Sequence, residues 1–305
     1  MGTAALLLFL SSGQAEQRAI AYLAREVPRW WKNNQCFSCH NNGDAARALY
    51  TALRLSYELP AEALSDTTRW LSRPAGWDEN RGDPQVSDKK LARIQFAAAL
   101  VEAFEYGVVK DLKVLRESAE SLLPYQDPDG SWKVDAGAAV GSPVTYGVGI
   151  ATWLARQALE KANDGRFREP VERAAEWFRK VQISSVPDAA AAALALQALS
   201  DTRSRAKFRE CLNLIRRGQA SDGGWGPYIH APPEPFDTAL ALLALAGERT
   251  LPEFRSAVEK GRSYLLRTQL SEGGWRETTR PPGGQSYAQH ISTSGWAALA
   301  LLETR

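Results

Sequence analysis

The pentapeptide at residues 36–40 carries the most specific chemical pattern in this sequence. It brings Cys36, Cys39 and His40 together in a chain with three cysteines and three histidines in all. The spacing C-x-x-C-H is that of c-type haem attachment. Two thiols three positions apart reach the vinyl groups on one edge of the porphyrin, and the adjacent histidine then faces the iron. The pattern therefore predicts one covalent haem c, with His40 as an axial ligand of its iron.

Three other interpretations of this pentapeptide stay open. A disulfide between Cys36 and Cys39, redox-active or structural, needs no histidine and leaves His40 without a role. A zinc site lacks a second cysteine pair to complete its tetrahedron. A buried structural pair of cysteines is the third. The remaining cysteine, Cys211, lies in the amphipathic segment FRECLNLIRR, at a position typical of a buried apolar residue.

Composition and charge limit the classes of protein that this chain can belong to. The 305 residues carry a formal net charge of +2, so nothing points to nucleic acid as a partner. After residue 12, no run of apolar residues approaches the length of a membrane span. Before it, the block AALLLFLSS followed by GQA is typical of a secretory signal cut after Ala15, with a frayed apolar helix as the alternative. We therefore predict a signal peptide at residues 1–15 and a periplasmic or otherwise exported chain.

A motif of the form Q-x-x-x-G-x-W occurs three times, at residues 126–132, 219–225 and 269–275. Each copy follows a charged amphipathic stretch that is typical of a helix. A glycine four places after the glutamine suits a turn that leaves a helix. The glutamine amide can bond the exposed backbone groups of this turn, and the tryptophan can cover it.

Ala/Leu-rich segments follow these motifs and predict helices that are buried on most faces. Side chains that can cap them are Asp44, Asp188, Asp237 and Thr293. Charged and buried helices alternate six times, with charged partners beginning near residues 16, 61, 111, 169, 204 and 252. Such hairpins bury a shared core only when stacked side by side. Residues 16–305 are therefore predicted to form one all-α domain, an (α/α)6 toroid of six helical hairpins, with an open solenoid as the alternative.

The far side of the predicted haem has few candidate ligands. Met1 is the only methionine, and signal cleavage would remove it, which excludes a His/Met pair. His290 or His230 would complete a bis-histidine pair; a weak ligand or five-coordinate iron is the alternative. Both histidines, like His40, precede predicted inner helices and therefore lie at one rim. We favour His290 because ring closure brings its loop next to that of His40. The alternative role for both is that of loop histidines that bond backbone or water.

The Q-x-x-x-G-x-W motifs and the segment DTALALLAL resemble the repeats of the prenyltransferase and squalene oxidase repeat family. That family includes squalene–hopene cyclases and the β-subunits of protein prenyltransferases. The resemblance extends over essentially the whole chain from residue 16. It implies the toroid fold of terpenoid cyclases, but it says little about chemistry, because unrelated functions share that fold.

The chemistry of neither branch of this family carries over to this chain. Class II cyclases resemble one another in a D-x-D-D-T-A stretch whose middle aspartate donates a proton. The matching stretch EPFDTA has Glu234 first, Phe236 at the donor position and Asp237 last, and a benzyl group cannot donate a proton. We therefore expect no squalene cyclase activity. Zinc-dependent prenyl transfer is not expected either, because Ala239 and Ser292 stand where the family has its cysteine and histidine ligands.

The leading functional prediction is an exported monohaem c-type protein on a squalene-cyclase-like toroid, which transfers electrons or binds a ligand at the haem. A redox partner protein and a small apolar ligand in the toroid cavity are its expected partners. One alternative is a non-redox cavity enzyme, a lyase, a hydrolase or an isoprenoid-related enzyme. Its acid–base candidates are rim residues, namely Tyr228, His230, Glu234, Tyr287 and His290. The other alternative is a protein-binding scaffold with a structural haem.

Overall fold

The computed structural model describes residues 3–81, 88–134, 140–280 and 283–305, with residues 3–12 as helical backbone only. These ranges contain twelve α-helices, which alternate between two kinds. The helices of the inner ring are buried on most faces and comprise α2 (Ala46–Arg54), α4 (Lys89–Glu105), α6 (Gly147–Lys161), α8 (Val186–Leu196), α10 (Pro235–Leu245) and α12 (Tyr287–Glu303). The helices of the outer ring are α1 (Thr3–Asn34), α3 (Ser65–Leu71), α5 (Leu112–Glu120), α7 (Arg168–Lys180), α9 (Thr202–Gly218) and α11 (Pro252–Thr268). A π-helical stretch, Cys39–Ala45, leads directly into α2.

The inner helices form a closed ring. Each packs against the inner helices before and after it, and α12 packs back against α2. The outer helices α5, α7, α9 and α11 each contact two consecutive inner helices, and α1 contacts α12 and α2. The predicted (α/α)6 toroid is therefore confirmed, and the open solenoid is wrong.

The inner helices start differently from the prediction. In α8, Ser185 is the cap: its Oγ accepts from the Asp188 N–H at 3.1 Å and its hydroxyl donates to the Asp188 carboxylate at 2.6 Å. Ser185 is therefore the cap, and the aspartate lies inside the first turn of the helix, where its carboxylate holds the Ser185 hydroxyl. Likewise α12 begins at Tyr287 behind the cap Ser286, well before Thr293. The aspartates and the threonine were therefore wrongly predicted as caps.

The Q-x-x-x-G-x-W turns join neighbouring hairpins by repeated hydrogen bonds. In the last copy, Trp275 Nε1 donates to the carbonyl oxygen of Leu265 at 2.8 Å. Gln269 Nε2 donates to the carbonyl oxygen of Ala15, in the next outer helix, at 2.9 Å. The other two copies repeat both bonds, each with its own following helix. The predicted role of these side chains is confirmed, and the last copy ties the sixth hairpin to the first.

The helix α1 continues without a break through the predicted cleavage position after Ala15. The next residue, Glu16, is a buried carboxylate that accepts from Tyr57 Oη at 2.6 Å. It also pairs with Arg262 at 3.0 Å and with the C-terminal Arg305 at 3.3 Å. Signal cleavage stays a prediction, and residues 1–2 of that segment lie outside the described residues. In the described part of the chain, no helix combines the length and apolar character needed to cross a membrane.

Aromatic side chains fill the lumen of the toroid. Trp296 of α12 is 1% exposed, and three rings from other hairpins approach it: Tyr146 and Phe236 at 5.8 Å and Trp153 at 6.2 Å between centroids. The guanidinium of Arg47 lies over the same indole, 4.6 Å from its centroid. Since these residues come from opposite sides of the ring, Trp296 lies near its axis. The lumen is closed at this level, and polar groups gather above it, where the inner helices begin.

Candidate functional site at the rim of the toroid

The C-x-x-C-H turn connects α1 to the π-helical stretch at this rim. Ser38 caps the stretch, because its Oγ accepts from the backbone N–H groups of His40 at 3.2 Å and Asn41 at 3.4 Å. Asn80 fixes the turn from the other side. Its Oδ1 accepts from the Phe37 N–H at 2.9 Å, and its Nδ2 donates to the Phe37 carbonyl at 2.6 Å. The backbone that carries His40 is therefore held by side chains on both sides.

His40 begins a series of hydrogen bonds that leads into the lumen. Its Nδ1 lies 3.0 Å from Ser292 Oγ, and the Ser292 hydroxyl donates to Asp44 Oδ2 at 2.6 Å. Because the single hydroxyl proton of Ser292 goes to Asp44, its oxygen accepts from His40. The proton of the neutral imidazole therefore lies on Nδ1, which leaves Nε2 with its lone pair. His40 as a whole residue is partly exposed at the rim.

Asp44 receives donors from three other hairpins. Besides Ser292, the hydroxyl of Tyr146 and Gln95 Nε2, at 2.9 Å, both donate to its carboxylate. Tyr146 has a φ of +58°, a conformation that tyrosine rarely adopts and that the surrounding contacts must hold. Burial raises the pKa of Asp44 to about 6, although the three donors oppose that rise. Burial also lowers the pKa of His40 to about 4, so the imidazole is neutral at pH 7.

A second buried carboxyl, Asp237, lies at the same rim. It is fully buried in the first turn of α10 and pairs with Arg280, which also bonds Glu234 at 2.6 Å and the carbonyl oxygen of Gly141. Burial raises the pKa of Asp237 well above its ordinary value; Arg280 opposes that rise and Glu234 adds to it. Asp237 Oδ1 has no hydrogen-bond partner among the described residues. Phe236, at the donor position of the cyclase motif, packs on Trp296.

The other two histidines take no part in the hydrogen bond between His40 and Ser292. His290 is in the first turn of α12; its Nδ1 is 3.4 Å from a Glu277 carboxylate oxygen, and its ring meets Tyr22 edge-on at 5.9 Å. His230 is exposed in the loop before α10 and has a φ of +70°. The structure thus places both histidines at starts of inner helices, and their role as a second axial ligand stays a prediction. Of the other rim candidates, Tyr228 is exposed and Tyr287 donates to Glu26 at 2.8 Å.

The residues of the C-x-x-C-H turn fit a haem in part. The free Nε2 of His40, with Nδ1 held by Ser292, has the orientation of a metal-ligating histidine. The thiol of Cys36 is half-exposed and accepts from Trp30 Nε1 at 3.4 Å. Cys39 fits less well, because it packs against the core and burial raises its thiol pKa to about 12. In the ranges that the structure describes, no three His, Cys, Asp or Glu side chains converge as a metal site.

Comparison with solved structures places this fold among known toroids. The R337A variant of the type II terpene cyclase MstE from Scytonema, in complex with geranylgeranyl dihydroxybenzoate, superposes with a TM-score of 0.63 over 98% of this chain and 99% of that one, at 15% identity. An unsaturated glucuronyl hydrolase mutant from a streptococcus gives a TM-score of 0.64 over 96% and 90% of the two chains, at 12% identity. The fold is that of the terpene cyclase-like toroids. At these identities the likeness concerns the fold alone.

Sequence comparison finds weaker, partial matches to curated proteins. "Drimenyl diphosphate synthase" of Streptomyces showdoensis is 29% identical in an alignment of 180 positions that covers 52% of this chain and 31% of that protein. "Probable squalene–hopene cyclase" of Sinorhizobium fredii is 28% identical in an alignment of 152 positions that covers 40% and 23% of the two chains. The matched segments thus span a third or less of these terpene cyclase-like relatives. No protein-family model matches the sequence.

Sequence reasoning found His40 but missed the residues that orient it. In the sequence, Ser292 stands out only as the position where the zinc-dependent enzymes have a histidine ligand, and no pattern singles out Tyr146 or Gln95. Nothing in a single sequence pairs residue 40 with residue 292, since the contact depends on how the ring closes. The one available signal was a set of polar residues in helices otherwise built from alanine and leucine, because buried polar groups need partners.

Proposed function

We propose that this protein is a non-redox enzyme that transfers protons at the rim of the toroid, with His40 as the base. The observation that carries this proposal is the series His40–Ser292–Asp44. A general base needs a neutral nitrogen with a free lone pair at a point that substrate can reach. His40 Nε2 is the candidate base, because burial keeps the imidazole neutral, Nδ1 is bonded to Ser292, and the residue as a whole is partly exposed.

Ser292 and Asp44 act as positioning residues in this proposal. They fix the Nδ1–H tautomer and the ring orientation through two short hydrogen bonds. When Nε2 accepts a proton, the imidazole becomes a cation. The carboxylate of Asp44, which is two hydrogen bonds away from the imidazole, stabilises that positive charge without taking the proton. Asp237, whose carboxyl pKa burial raises above its ordinary value, lies at the same rim and is paired with Arg280.

The substrate that fits this rim is largely apolar, and we propose an isoprenoid. The rings below the polar groups, Trp296, Tyr146 and Phe236, are buried and form an apolar floor beneath the rim. Relatives and neighbours named for terpene chemistry support the same class. Squalene is excluded from the proposal because Phe236 occupies the position of the usual proton donor. Because the buried rings around Trp296 close the lumen, a substrate contacts the rim first, where His40 lies.

The test is turnover of linear prenyl diphosphates and geranylgeranyl dihydroxybenzoate, followed by liquid chromatography and mass spectrometry for isomerised or cyclised products. We expect the wild-type chain to form product, His40→Ala to lower kcat/KM at least ~100-fold, and Ser292→Ala to lower it ~10-fold. His230→Asn is the matched control, because asparagine tolerates a positive φ, and it should leave activity unchanged. Product formation that is equal in wild type and His40→Ala would contradict the proposal. With squalene, no cyclic triterpene is expected.

A second candidate function is favoured by the same free nitrogen. His40 Nε2, with a half-exposed thiol at Cys36, also suits an exported haem c protein, in which His40 would bind the iron and the haem would carry electrons. Export, cleavage after Ala15 and a redox partner protein belong to this candidate and stay predictions. Mass spectrometry of chain made with a haem c maturation system decides it: a mass increase of one haem retained in acid–acetone supports it, and the bare polypeptide mass refutes it.

A further inference from the structure

The segment at residues 140–147, which leads into α6, lies across the mouth of the lumen. Near its start, the carbonyl oxygen of Gly141 accepts a hydrogen bond from Arg280, which precedes α12. In the closed ring of inner helices, α12 lies opposite α6. Near the end of the segment, the Tyr146 hydroxyl donates to Asp44, which precedes α2. The segment is therefore attached to two hairpins that are not its neighbours in the ring.

The segment is a compact turn with hydrogen bonds of its own. The N–H groups of Thr145 and Tyr146 donate to the carbonyl oxygen of Ser142 at 3.3 and 2.9 Å. The hydroxyls of Ser142 and Thr145 lie 2.8 Å apart. Since these bonds join residues of the turn itself, they persist when the turn moves as a unit. The bonds to Arg280 and Asp44, in contrast, hold the turn in its place over the mouth.

Tyr146 carries the ring with which this turn covers the lumen. The residue is 1% exposed, and its ring meets that of Trp296 edge-on at 5.8 Å. Phe236 approaches Trp296 from another hairpin at the same centroid distance. An outward movement of the turn withdraws the Tyr146 ring and uncovers the two rings that stay behind. The space it leaves is lined by aromatic side chains and suits an apolar chain.

The closed position of the turn is held against local backbone strain. Tyr146 has a φ of +58° and a ψ of −39°, outside the regions that tyrosine ordinarily occupies. Such a conformation persists only where the surrounding contacts enforce it, and it is common in segments that switch between positions. Gly141 approaches the carbonyl oxygen of Tyr146 so closely that an added Cβ would overlap it. Small changes to this turn therefore act against its closed position.

We infer that residues 140–147 form a lid, which opens to admit the isoprenoid chain of the substrate into the lumen. Opening breaks the hydrogen bonds of Gly141 and Tyr146 to the rim and relieves the backbone strain at Tyr146. The apolar chain then lies among the aromatic rings, and the reacting end of the substrate stays at the rim beside His40. The inference rests on the proposed function for the class of the ligand and adds the route by which that ligand enters.

The first measurement is hydrogen exchange with mass spectrometry on the full chain, for two lid variants and one control. Gly141→Ala adds a Cβ that the closed turn cannot accommodate. Arg280→Lys keeps a positive charge beside the rim carboxylates but lacks the planar fork that also holds the Gly141 carbonyl. Gly165→Ala is the control, because Gly165 has open space around it. We expect exchange in residues 140–147 to be at least ~10-fold faster in both lid variants and unchanged in the control.

The second measurement is stopped-flow tryptophan fluorescence on mixing with farnesol, an isoprenoid alcohol without a diphosphate. It follows the entry of an apolar chain separately from turnover. Where a lid must open first, the observed rate levels off with farnesol concentration at the rate of opening. We expect such a plateau for the wild type and for Gly165→Ala. The plateau should be at least ~10-fold higher for Gly141→Ala and Arg280→Lys.

The outcomes separate the lid from the function on which it rests. Unchanged exchange in residues 140–147, or exchange that is equally faster throughout the inner helices, overturns the lid. So does a farnesol rate that is linear in concentration and equal in all four proteins, or no binding of farnesol to any of them. Gated entry of farnesol in a protein whose turnover does not depend on His40 supports the lid and refutes the base. Turnover that depends on His40 with ungated entry supports the base and refutes the lid.

Discussion

Two turns at equivalent places in the ring differ in what they leave available for chemistry. The Q-x-x-x-G-x-W turn before α12 uses its polar side chains internally: Gln269 bonds backbone carbonyls and Trp275 bonds Leu265. The C-x-x-C-H turn before α2 is held by residues outside the pentapeptide or between its cysteines, chiefly Ser38 and Asn80. The Cys36 sulfur and His40 Nε2 are not used to hold this turn in place. The Q-x-x-x-G-x-W turn is therefore a structural joint, in which the polar side chains hold two hairpins together. The C-x-x-C-H turn lies at the equivalent position, but its sulfur and its imidazole nitrogen do not serve that purpose.

The largest difference between the two turns is expected in stability. Trp275 is fully buried and donates a hydrogen bond, so Trp275→Ala should lower the free energy of unfolding by ~3–5 kcal/mol. Trp31, at the other turn, is only half-buried, and Trp31→Ala should cost ~1 kcal/mol. Urea denaturation followed by far-ultraviolet circular dichroism measures both. Similar losses would show that the C-x-x-C-H turn is an equally structural joint.

The next largest loss of stability is expected at Gly273, the glycine of the Q-x-x-x-G-x-W turn before α12. Gly273 has a φ of +105°, and an added Cβ would lie 2.3 Å from the carbonyl oxygen of Arg18 in α1. Gly273→Ala should therefore cost ~3 kcal/mol, from backbone strain and steric overlap together. Gly107 also has a positive φ, +72°, but open space around it, so Gly107→Ala isolates the strain and should cost ~1 kcal/mol. Equal melting temperatures for the two variants would contradict the close approach of the sixth hairpin to the first.

The pH dependence of stability should reveal the two titrating groups at the C-x-x-C-H side. Asp44 has a pKa of about 6 when folded, against 3.8 ordinarily, so its contribution to stability falls as pH rises from 4 to 6. His40 has a pKa of about 4 when folded, against 6.5, so its contribution rises over the same window. In the wild type these contributions nearly cancel. Relative to that of wild type, the free energy of unfolding of Asp44→Asn should rise by ~2 kcal/mol between pH 4 and pH 6. That of His40→Gln should fall by a similar amount over the same range.

Chemical denaturation at intervals of half a pH unit measures the free energy of unfolding of both variants and shows whether its pH dependences are opposite. His290→Gln is a suitable control, since His290 lies at the same rim but outside the series. Parallel pH profiles for wild type and both variants would mean that Asp44 and His40 are not coupled to folding as the buried series requires.

The smallest loss of stability is expected for the serine caps of the helical segments that follow the two turns. This loss should be similar for both caps. Ser38 and Ser286 each accept hydrogen bonds from backbone N–H groups at the start of the following helix. Ser38→Ala and Ser286→Ala should each lower the free energy of unfolding by ~1 kcal/mol. A much larger loss for Ser38→Ala would indicate that the cap also holds the π-helical stretch, which the other turn lacks.

The parts of the molecule that follow from local pattern were predictable, and those that depend on ring closure were not. Alternating amphipathic and buried segments predicted six hairpins and hence the toroid, and the repeated glutamine and tryptophan predicted their joints. Helix starts were displaced by a turn, because Asp188 and Asp237 act inside the first turn rather than at the cap. The contacts of His40 with Ser292 and of Asp237 with Arg280 join distant parts of the chain. No spacing rule reports such contacts.

The buried carboxylate of Glu16 has a consequence for how the chain is made. Its cationic partners, Arg262 and Arg305, lie 246 and 289 positions later in the chain. Ribosomal synthesis delivers the first helix long before the two side chains that compensate its buried charge. Ring closure is therefore a late, non-local event that sets a slow step in folding. Until the sixth hairpin emerges, the nascent chain therefore stays open and exposes the apolar faces of its first helices to chaperones.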